Sequence, residues 1–336
     1  MMIKLGVLDH THIGEGRTAA ETLEEAVQLA QETEKLGFSR YWVSEHHGSP
    51  SLASSSPEIL IAHLAAHTSR IRVGSGGIML SHYSAYKVAE NFRLLEALYP
   101  NRIDLGLGRA PGGMPISTRA LQAGKYSGVD VYPEQVADLT GYLHDALPPG
   151  HPFAALKAAP VIDTAPELWL LGSSDGSARI AAYQGLPFAY AQFFGVPGGE
   201  RAMELYRSQF RPSFHYKEPK AMVAVMAICA DTEEEANRLA SSVGLFFLKL
   251  EQGMELSAYP SAETAMHYHY SEFERARLDM GKHRRAVGTP EQVKEQLTAI
   301  SDLYQTDEIV IASPIHNSQA RLHSYRLIAE AFDIST

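Results

Sequence analysis

Short apolar runs alternate with amphipathic stretches along almost the whole chain, and the alternation recurs about eight times. A run too short for a helix, followed by apolar residues three and four places apart, is the pattern of a parallel strand and its crossover helix. Ile3 to Leu8 is the first run. Thr18, with Glu21 three places on, predicts a capping box for a helix that turns Leu23, Ala26, Val27 and Ala30 inward until Gly37 ends it. Arg40 to Ser44 is the second run. Ser56 caps and Pro57 begins the next helix, and Ile71 to Leu80 is the third run. Tyr86 to Tyr99 predicts the third helix and Ile103 to Leu107 the fourth strand. Later strands are predicted at Leu168 to Leu171, Pro187 to Phe194, Met222 to Ala230 and Glu308 to Ala312. The helices between them fall at Pro133 to Leu147, Ser177 to Gln184, Glu200 to Phe210, after Asp231 or Thr232, after Thr289, and from Asn317 or Ser318 to Phe332.

Two stretches break the rhythm: Gly108 to Val131, rich in Gly, Pro, Ser and Thr, and the polar segment from about Gly253 to Arg285, which predicts an insertion or a mobile lid. Eight strand-helix units predict an α/β fold of the closed (β/α)8 TIM-barrel kind, one domain over 1–336 with insertions at about 108–131 and 253–285, after strands four and seven. Active sites of such barrels lie at the carboxyl ends of the strands. Here those ends are Asp9 to His12, Glu45 to His47, Gly76 to His82, Gly106 to Gly113, Gly172 to Ser177, Gln192 to Gly195 and Ser313 to His316.

The 39 acidic and 29 basic residues leave a net charge of −10, and no basic run is present, which argues against nucleic acid as a partner. One cysteine, Cys229, allows neither an internal disulfide nor a thiolate metal cage. No stretch approaches the roughly 20 apolar residues of a membrane span, and the first residues run straight into a strand. A soluble, cytoplasmic protein is expected.

Several strand ends carry candidate chemistry. Gly172-Ser-Ser-Asp-Gly-Ser177 passes from strand to helix and offers three hydroxyls and free backbone N–H groups, either as a phosphate cradle or as a serine-rich cap. The same residues satisfy G-x-S-x-G, with Ser174 as a nucleophile and Asp307 with His316 or His323 as partners, so a serine hydrolase is a rival. Arg109, after Gly106-Leu-Gly108, places a cation where a phosphate or carboxylate could be gripped by its fork, or is a paired surface residue. Pro111 spoils the dinucleotide fingerprint, and Tyr126 after Gly124-Lys125 spoils a P-loop. A mononucleotide-sized cofactor suits what remains. His10-x-His12 suggests a metal site, but the later strand ends lack the carboxylate and histidine partners it would need. Of His46 and His47, alternate sides of an extended chain admit only one to the mouth. Gly74-Ser-Gly76-Gly77 marks either close approach of a ligand or a tight barrel contact.

Taken together, Phe38 to His47, Val73 to Leu80, Asn101 to Arg109, Gly172 to Pro187 and Val287 to Gln292 resemble, in order and spacing, the bacterial luciferase-like family of flavin-dependent monooxygenases. That resemblance implies a barrel binding reduced FMN, supplied by a separate NAD(P)H-dependent reductase, and adding O2 to give a C4a-peroxyflavin that oxygenates a small organic substrate. It further implies His46 as the catalytic histidine, Gly76 and Gly77 as the place of a non-prolyl cis peptide beneath the flavin ring, and Arg109, Ser173, Ser174 and Ser177 as phosphate contacts. A homodimer through the helices near strands two and three is implied too. Gly108 and Ser173 depart from luciferase itself, which has cysteine and an acidic residue there, so light emission is not expected. A deazaflavin F420-dependent oxidoreductase of the same superfamily is the alternative. His267 and His269 are expected to be lid residues, and no metal is expected.

Overall fold

The computed structural model describes residues 3–123, 131–195 and 197–334. Its strands are β1 (Lys4–Asp9), β2 (Arg40–Val43), β3 (Arg72–Met79), β4 (Ile103–Gly108), β5 (Glu167–Gly172), β6 (Phe188–Ala191), β7 (Ala221–Cys229), β8 (Arg285–Gly288) and β9 (Glu308–Ala312). Strands β1 to β7 pair in chain order, all parallel, and β9 closes the ring between β7 and β1. This is a (β/α)8 TIM barrel, and its eight staves are the eight runs read from the sequence.

The helices are α1 (Ala19–Lys35), α2 (Pro57–Ala66), α3 (Ala85–Leu98), α4 (Pro115–Leu121), α5 (Tyr132–Leu143), α6 (Asp175–Gln184), α7 (Gly199–Ser208), α8 (Glu233–Glu251), α9 (Ala262–His267), α10 (Glu272–Gly281), α11 (Pro290–Tyr304) and α12 (Ser318–Ala331). Their starts follow local chemistry. The Thr18 hydroxyl accepts from the Glu21 N–H, and the Glu21 carboxylate accepts from the Thr18 N–H. Thr289 with Gln292 repeats this capping box at α11, and Asn317 caps α12 by accepting from the Ala320 N–H. Ser56 occupies the cap position of α2 but makes no side-chain cap bond; Pro57, whose missing N–H needs no partner, starts that helix instead.

The structure departs from expectation in three places. The 253–285 segment holds two helices, α9 and α10, the second opened by a Ser271/Glu274 capping box. A ninth strand, β8, lies outside the barrel ring. β7 is long enough to pair with β9 along Val223 to Met226 and with β8 along Met226 to Cys229. The 108–131 loop holds α4, its last part at 124–130 lies outside the described residues, and α5 stops at Leu143 rather than Leu147.

The floor of the barrel is filled by charge as well as by apolar side chains. Arg40, on β2, is buried, and its guanidinium reaches Asp104 of β4 at 2.5 Å and Glu308 of β9 at 2.6 Å. Arg72 pairs with Asp104 at 2.6 Å, and Lys220 pairs with Glu167. Three cations therefore face three carboxylates, and the Trp42 indole N–H also donates to Asp104 at 2.8 Å. Above this layer Trp42 and Trp169 meet edge to face, with centroids 5.9 Å apart. Space for such large groups comes from glycine: a Cβ at Gly6 would lie 2.6 Å from Cγ of Arg40, and one at Gly76 would lie 2.8 Å from Leu8 and 3.1 Å from Trp42.

β1 is tied to α12 by Asp9, whose carboxylate accepts from Arg321 at 2.7 Å, from the Tyr41 hydroxyl at 2.5 Å and from the Thr11 N–H at 2.9 Å. Burial pushes the Asp9 pKa up, and these donors, led by Arg321, outweigh it and leave it at about 2.

Two predictions follow from these buried charges. Arg40→Met should destabilise the protein by about 3 to 5 kcal/mol in denaturant unfolding, because it strands buried carboxylates; a loss below about 1 kcal/mol would refute the role given to Arg40. A folded pKa below the unfolded 3.8 means that the Asp9 contribution is complete above that value and is lost as the pH falls through about 2. The stability gap between the native chain and Asp9→Asn should therefore shrink by ~2 kcal/mol between about pH 5 and about pH 2, and a gap independent of pH would exclude the ion pair as its source.

Candidate active site

At the mouth of the barrel the chain leaving β2 is pinned by Glu45. This carboxylate is fully buried and accepts from His47 Nε2 at 2.7 Å, from the Tyr83 hydroxyl at 2.7 Å and from the Met79 N–H at 2.9 Å. With His47 held back by Glu45, the alternation of the extended chain turns His46 the other way, toward His10. His46 Nδ1 lies 2.8 Å from the Glu45 carbonyl. A carbonyl only accepts, so Nδ1 carries the proton and Nε2 presents a lone pair. Burial, with His47 adding to it, lowers the His46 pKa to about 4, so the ring is neutral near pH 7.

His10 and His12, at the end of β1, join this ring. His10 stands 5.7 Å from His46 and 5.6 Å from His12, centroid to centroid, and its Nδ1 is 3.0 Å from the Ser44 hydroxyl. His12 stacks on Tyr259 at 4.7 Å, and its buried Nδ1 has no partner among the described residues. Beside them a cleft opens between the ends of β1 and β9 and helices α1 and α12, lined among others by His10, His12, Arg17, Ser313 and His316. Among the described residues, no group of three His, Cys, Asp or Glu side chains is placed to hold a metal ion.

The Gly76–Gly77 peptide is cis. A Cβ at Gly77 would sit 2.6 Å from the Gly106 carbonyl oxygen of β4, so that position admits no side chain on the side of the neighbouring stave.

Across the mouth, β5 ends at Gly172 and α6 begins after Ser174. Ser174 stands at the cap position in extended backbone but makes no cap bond, and its hydroxyl has no partner among the described residues. Ser173 is half-buried, and Ser177, in the first turn, is buried. Arg109 projects from the end of the neighbouring strand β4. A Cβ at Gly176 would lie 3.7 Å from the Ser174 hydroxyl oxygen and 3.9 Å from an Arg109 guanidinium nitrogen, so cation, hydroxyl and helix N-terminus surround one bare spot of backbone. Arg109 has no ion-pair partner among the described residues, whereas Asp175 is paired with Arg201 at 3.2 Å. The loop carrying Arg109 is fixed: the His47 N–H donates to the Gly112 carbonyl at 2.8 Å, and His82 Nε2 donates to the Pro111 carbonyl at 2.8 Å.

The hydrolase alternative is overturned by position. Ser174 follows the carboxyl end of β5, but Asp307 precedes β9, at the opposite end of the barrel, where its carbonyl accepts from the Lys4 N–H. His323 pairs with Asp231 at 2.8 Å, and His316 contacts the Glu15 carbonyl at 3.0 Å, so neither forms a triad with Ser174 and Asp307. His267 turns back to the Glu263 carbonyl of its own helix, and His269 is exposed.

Sequence reasoning named His46, Arg109 and the serines separately; the fold puts Arg109 beside Ser174 and Gly176, and His46 beside His10. It missed the association of His10 with His46 and the Asp9–Arg321 pair. The first was signalled by the adjacency of strands one and two; the second spans almost the whole chain and had no local signal.

The model of the family described as luciferase-like monooxygenase matches residues 2–306. The chain is 51% identical to the uncharacterized protein YwcH of Bacillus subtilis (strain 168), covering 98% of this chain and 99% of that protein. It is 41% identical to the N-acetyl-S-alkylcysteine monooxygenase of the same strain, covering 98% of each. The crystal structure of apo-MsnO8 superposes with a TM-score of 0.89 at 39% identity over 99% of both chains. With its barrel, its strand-end residues and these relatives in agreement, the chain belongs to the luciferase-like monooxygenase family.

Proposed function

We propose that the protein is a two-component FMN-dependent monooxygenase, which takes reduced FMN from a separate NAD(P)H-dependent reductase and oxygenates a small organic substrate with O2. The observation that carries this reading is the convergence around Gly176 of Arg109 and the Ser174 hydroxyl, both without a partner among the described residues, with the first turn of α6. Such a first turn has N–H groups without helical partners and about half a positive charge, which suits a dianionic phosphate. The residues fit the group. Arg109 supplies a bidentate fork, Ser173, Ser174 and Ser177 supply hydroxyl donors, and the bare Gly176 lets an oxygen approach the backbone.

When bound, the flavin supplies the two electrons that activate O2. The chain's own residues orient and shield. Gly76–Gly77 forms the floor on which a planar ring can lie. His46, neutral and with Nε2 free, can take or return a proton at the ring's edge. Trp42, Trp169 and the paired charges below keep bulk water out of the lumen.

No helix among the described residues is long and apolar enough to cross a membrane, in keeping with a cytoplasmic enzyme. A homodimer through α2 and α3 would cover Ile59, Leu94 and Leu98, which are exposed on those helices.

Titration with FMN and with riboflavin, which lacks the phosphate, tests the reading. FMN should bind at least about tenfold more tightly than riboflavin. Arg109→Ala should weaken FMN by about 1.5 to 3 kcal/mol, the usual worth of a charged hydrogen bond, and leave riboflavin unchanged. Equal affinity for the two flavins, an Arg109→Ala variant with native FMN affinity, or binding of F420 but not FMN would each overturn it.

A further inference from the structure

We propose that His10 and His12 form a proton path from the solvent-facing cleft to His46, with His10 as a relay residue that acts through His46. This inference rests on the reading of the mouth as the site of flavin and oxygen chemistry. Three observations carry it. The rings form a row, with His46 and His10 at 5.7 Å and His10 and His12 at 5.6 Å between centroids. Each ring keeps a nitrogen without a protein partner among the described residues: Nε2 of His46, Nε2 of His10, and both nitrogens of His12, of which Nδ1 is buried. The outer two rings line the cleft, whose rim carries the exposed side chains Gln28 and Gln319.

The surroundings keep the row uncharged. Asp9 of β1 and Arg321 of α12 are paired with each other, Tyr259 stacks on His12, and His47 is tied to Glu45 behind His46. Burial, with His46 adding to it, lowers the His10 pKa to about 3, and burial lowers that of His12 as well. With Nδ1 of His10 held by Ser44 and Nδ1 of His46 by the Glu45 carbonyl, each of these rings takes up and gives back a proton at Nε2, so the row carries it by brief protonation of one ring after another. A ring titrating near 3 is protonated roughly one time in ten thousand at neutral pH. Side-chain motion on the picosecond to nanosecond scale makes that occupancy ample for turnover of about 1 to 10³ per second.

The chemistry consumes one solvent proton per turnover, which such a path would deliver. Without substrate, the reduced flavin anion, O2 and one proton give oxidised flavin and hydrogen peroxide. Two electrons pass from flavin to oxygen; one peroxide proton comes from the flavin N–H and the other from solvent. With substrate, one oxygen atom enters it and the other leaves as water, again with one solvent proton consumed.

The decisive variant is His10→Gln, which retains a hydrogen-bond partner for Ser44 but cannot relay. Protein loaded with photoreduced FMN is mixed with oxygenated buffer, and peroxide release is followed. His10→Gln should release peroxide at least about tenfold more slowly, the lower end of general acid–base effects being about 10². Its FMN dissociation constant should stay within about twofold, and imidazole added to the buffer should restore part of the rate. The His10→Gln/His46→Gln pair should be no slower than the slower single variant, as for groups acting in series. In the cofactor-free protein, ring nitrogen NMR should show the His10 midpoint rising in His46→Gln, because the His46 cation that forms first on acidification is then absent. Native peroxide release in His10→Gln, a loss that imidazole does not rescue, or an unmoved His10 midpoint would overturn the path. Failure to bind FMN would instead strike at the function proposed above, leaving the NMR result to decide whether the two rings are coupled.

Discussion

A guanidinium buried in the floor of the barrel sets the terms for what lies above it. Arg40 reaches from β2 across the lumen to Asp104 on β4 and Glu308 on β9, and Glu167 on β5 stands 3.7 Å from it. Four staves are thereby tied through one side chain, and a slip of register in any of them would leave a charge unpaired in a dry interior. Such a cluster is a weak source of net stability, since desolvation offsets much of the attraction. Its value lies in penalising every other arrangement of the strands. It also dictates small residues nearby, since Gly6 and Gly76 stand where any side chain would strike Arg40 or Trp42.

With the lower lumen filled, chemistry is confined to the rim, and the rim is divided. On the β4 and β5 side stands Arg109, free of ion-pair partners among the described residues, with Ser174 and the α6 terminus close by. On the β1 and β2 side are imidazoles that burial keeps neutral. The two sides belong to one mouth because β1 to β5 are consecutive staves, so residues far apart in the chain become neighbours around a ring.

Much of this was legible from residue pattern. Every barrel strand, the capping boxes at Thr18 and Thr289 and the cap at Asn317 could be read from apolar periodicity and cap chemistry, which act over a few residues. The ordering of strand ends then placed Arg109 next to the serine turn. What escaped had causes beyond local reach. Arg40 lies in a strand that reads as one more apolar run, and nothing nearby shows that it spans the lumen. That a side chain at Gly76 would strike Leu8 and Trp42 is set by residues on other strands, out of reach of the local pattern. β8 is four residues long and pairs with the upper half of a strand already counted. Asp9 and Arg321 sit 312 positions apart.

The division of the rim has a further consequence for recognition under the proposed function. A flavin nucleotide brings a dianion and a polarisable ring into the same opening, and specificity requires that the dianion find one resting place. Had His10, His12 and His46 been charged at neutral pH, three cations would compete with Arg109 for the phosphate and hold the ring in the wrong orientation. Burial removes that competition without removing the imidazoles, because the group that loses its charge keeps its ability to give and accept a proton. The cost is a low equilibrium occupancy of the protonated rings, which a relay tolerates and a fixed electrostatic contact would not. Neutrality on one side and a cation without an ion-pair partner among the described residues on the other would then be two parts of one arrangement: the first leaves the dianion a single destination, and the second supplies it.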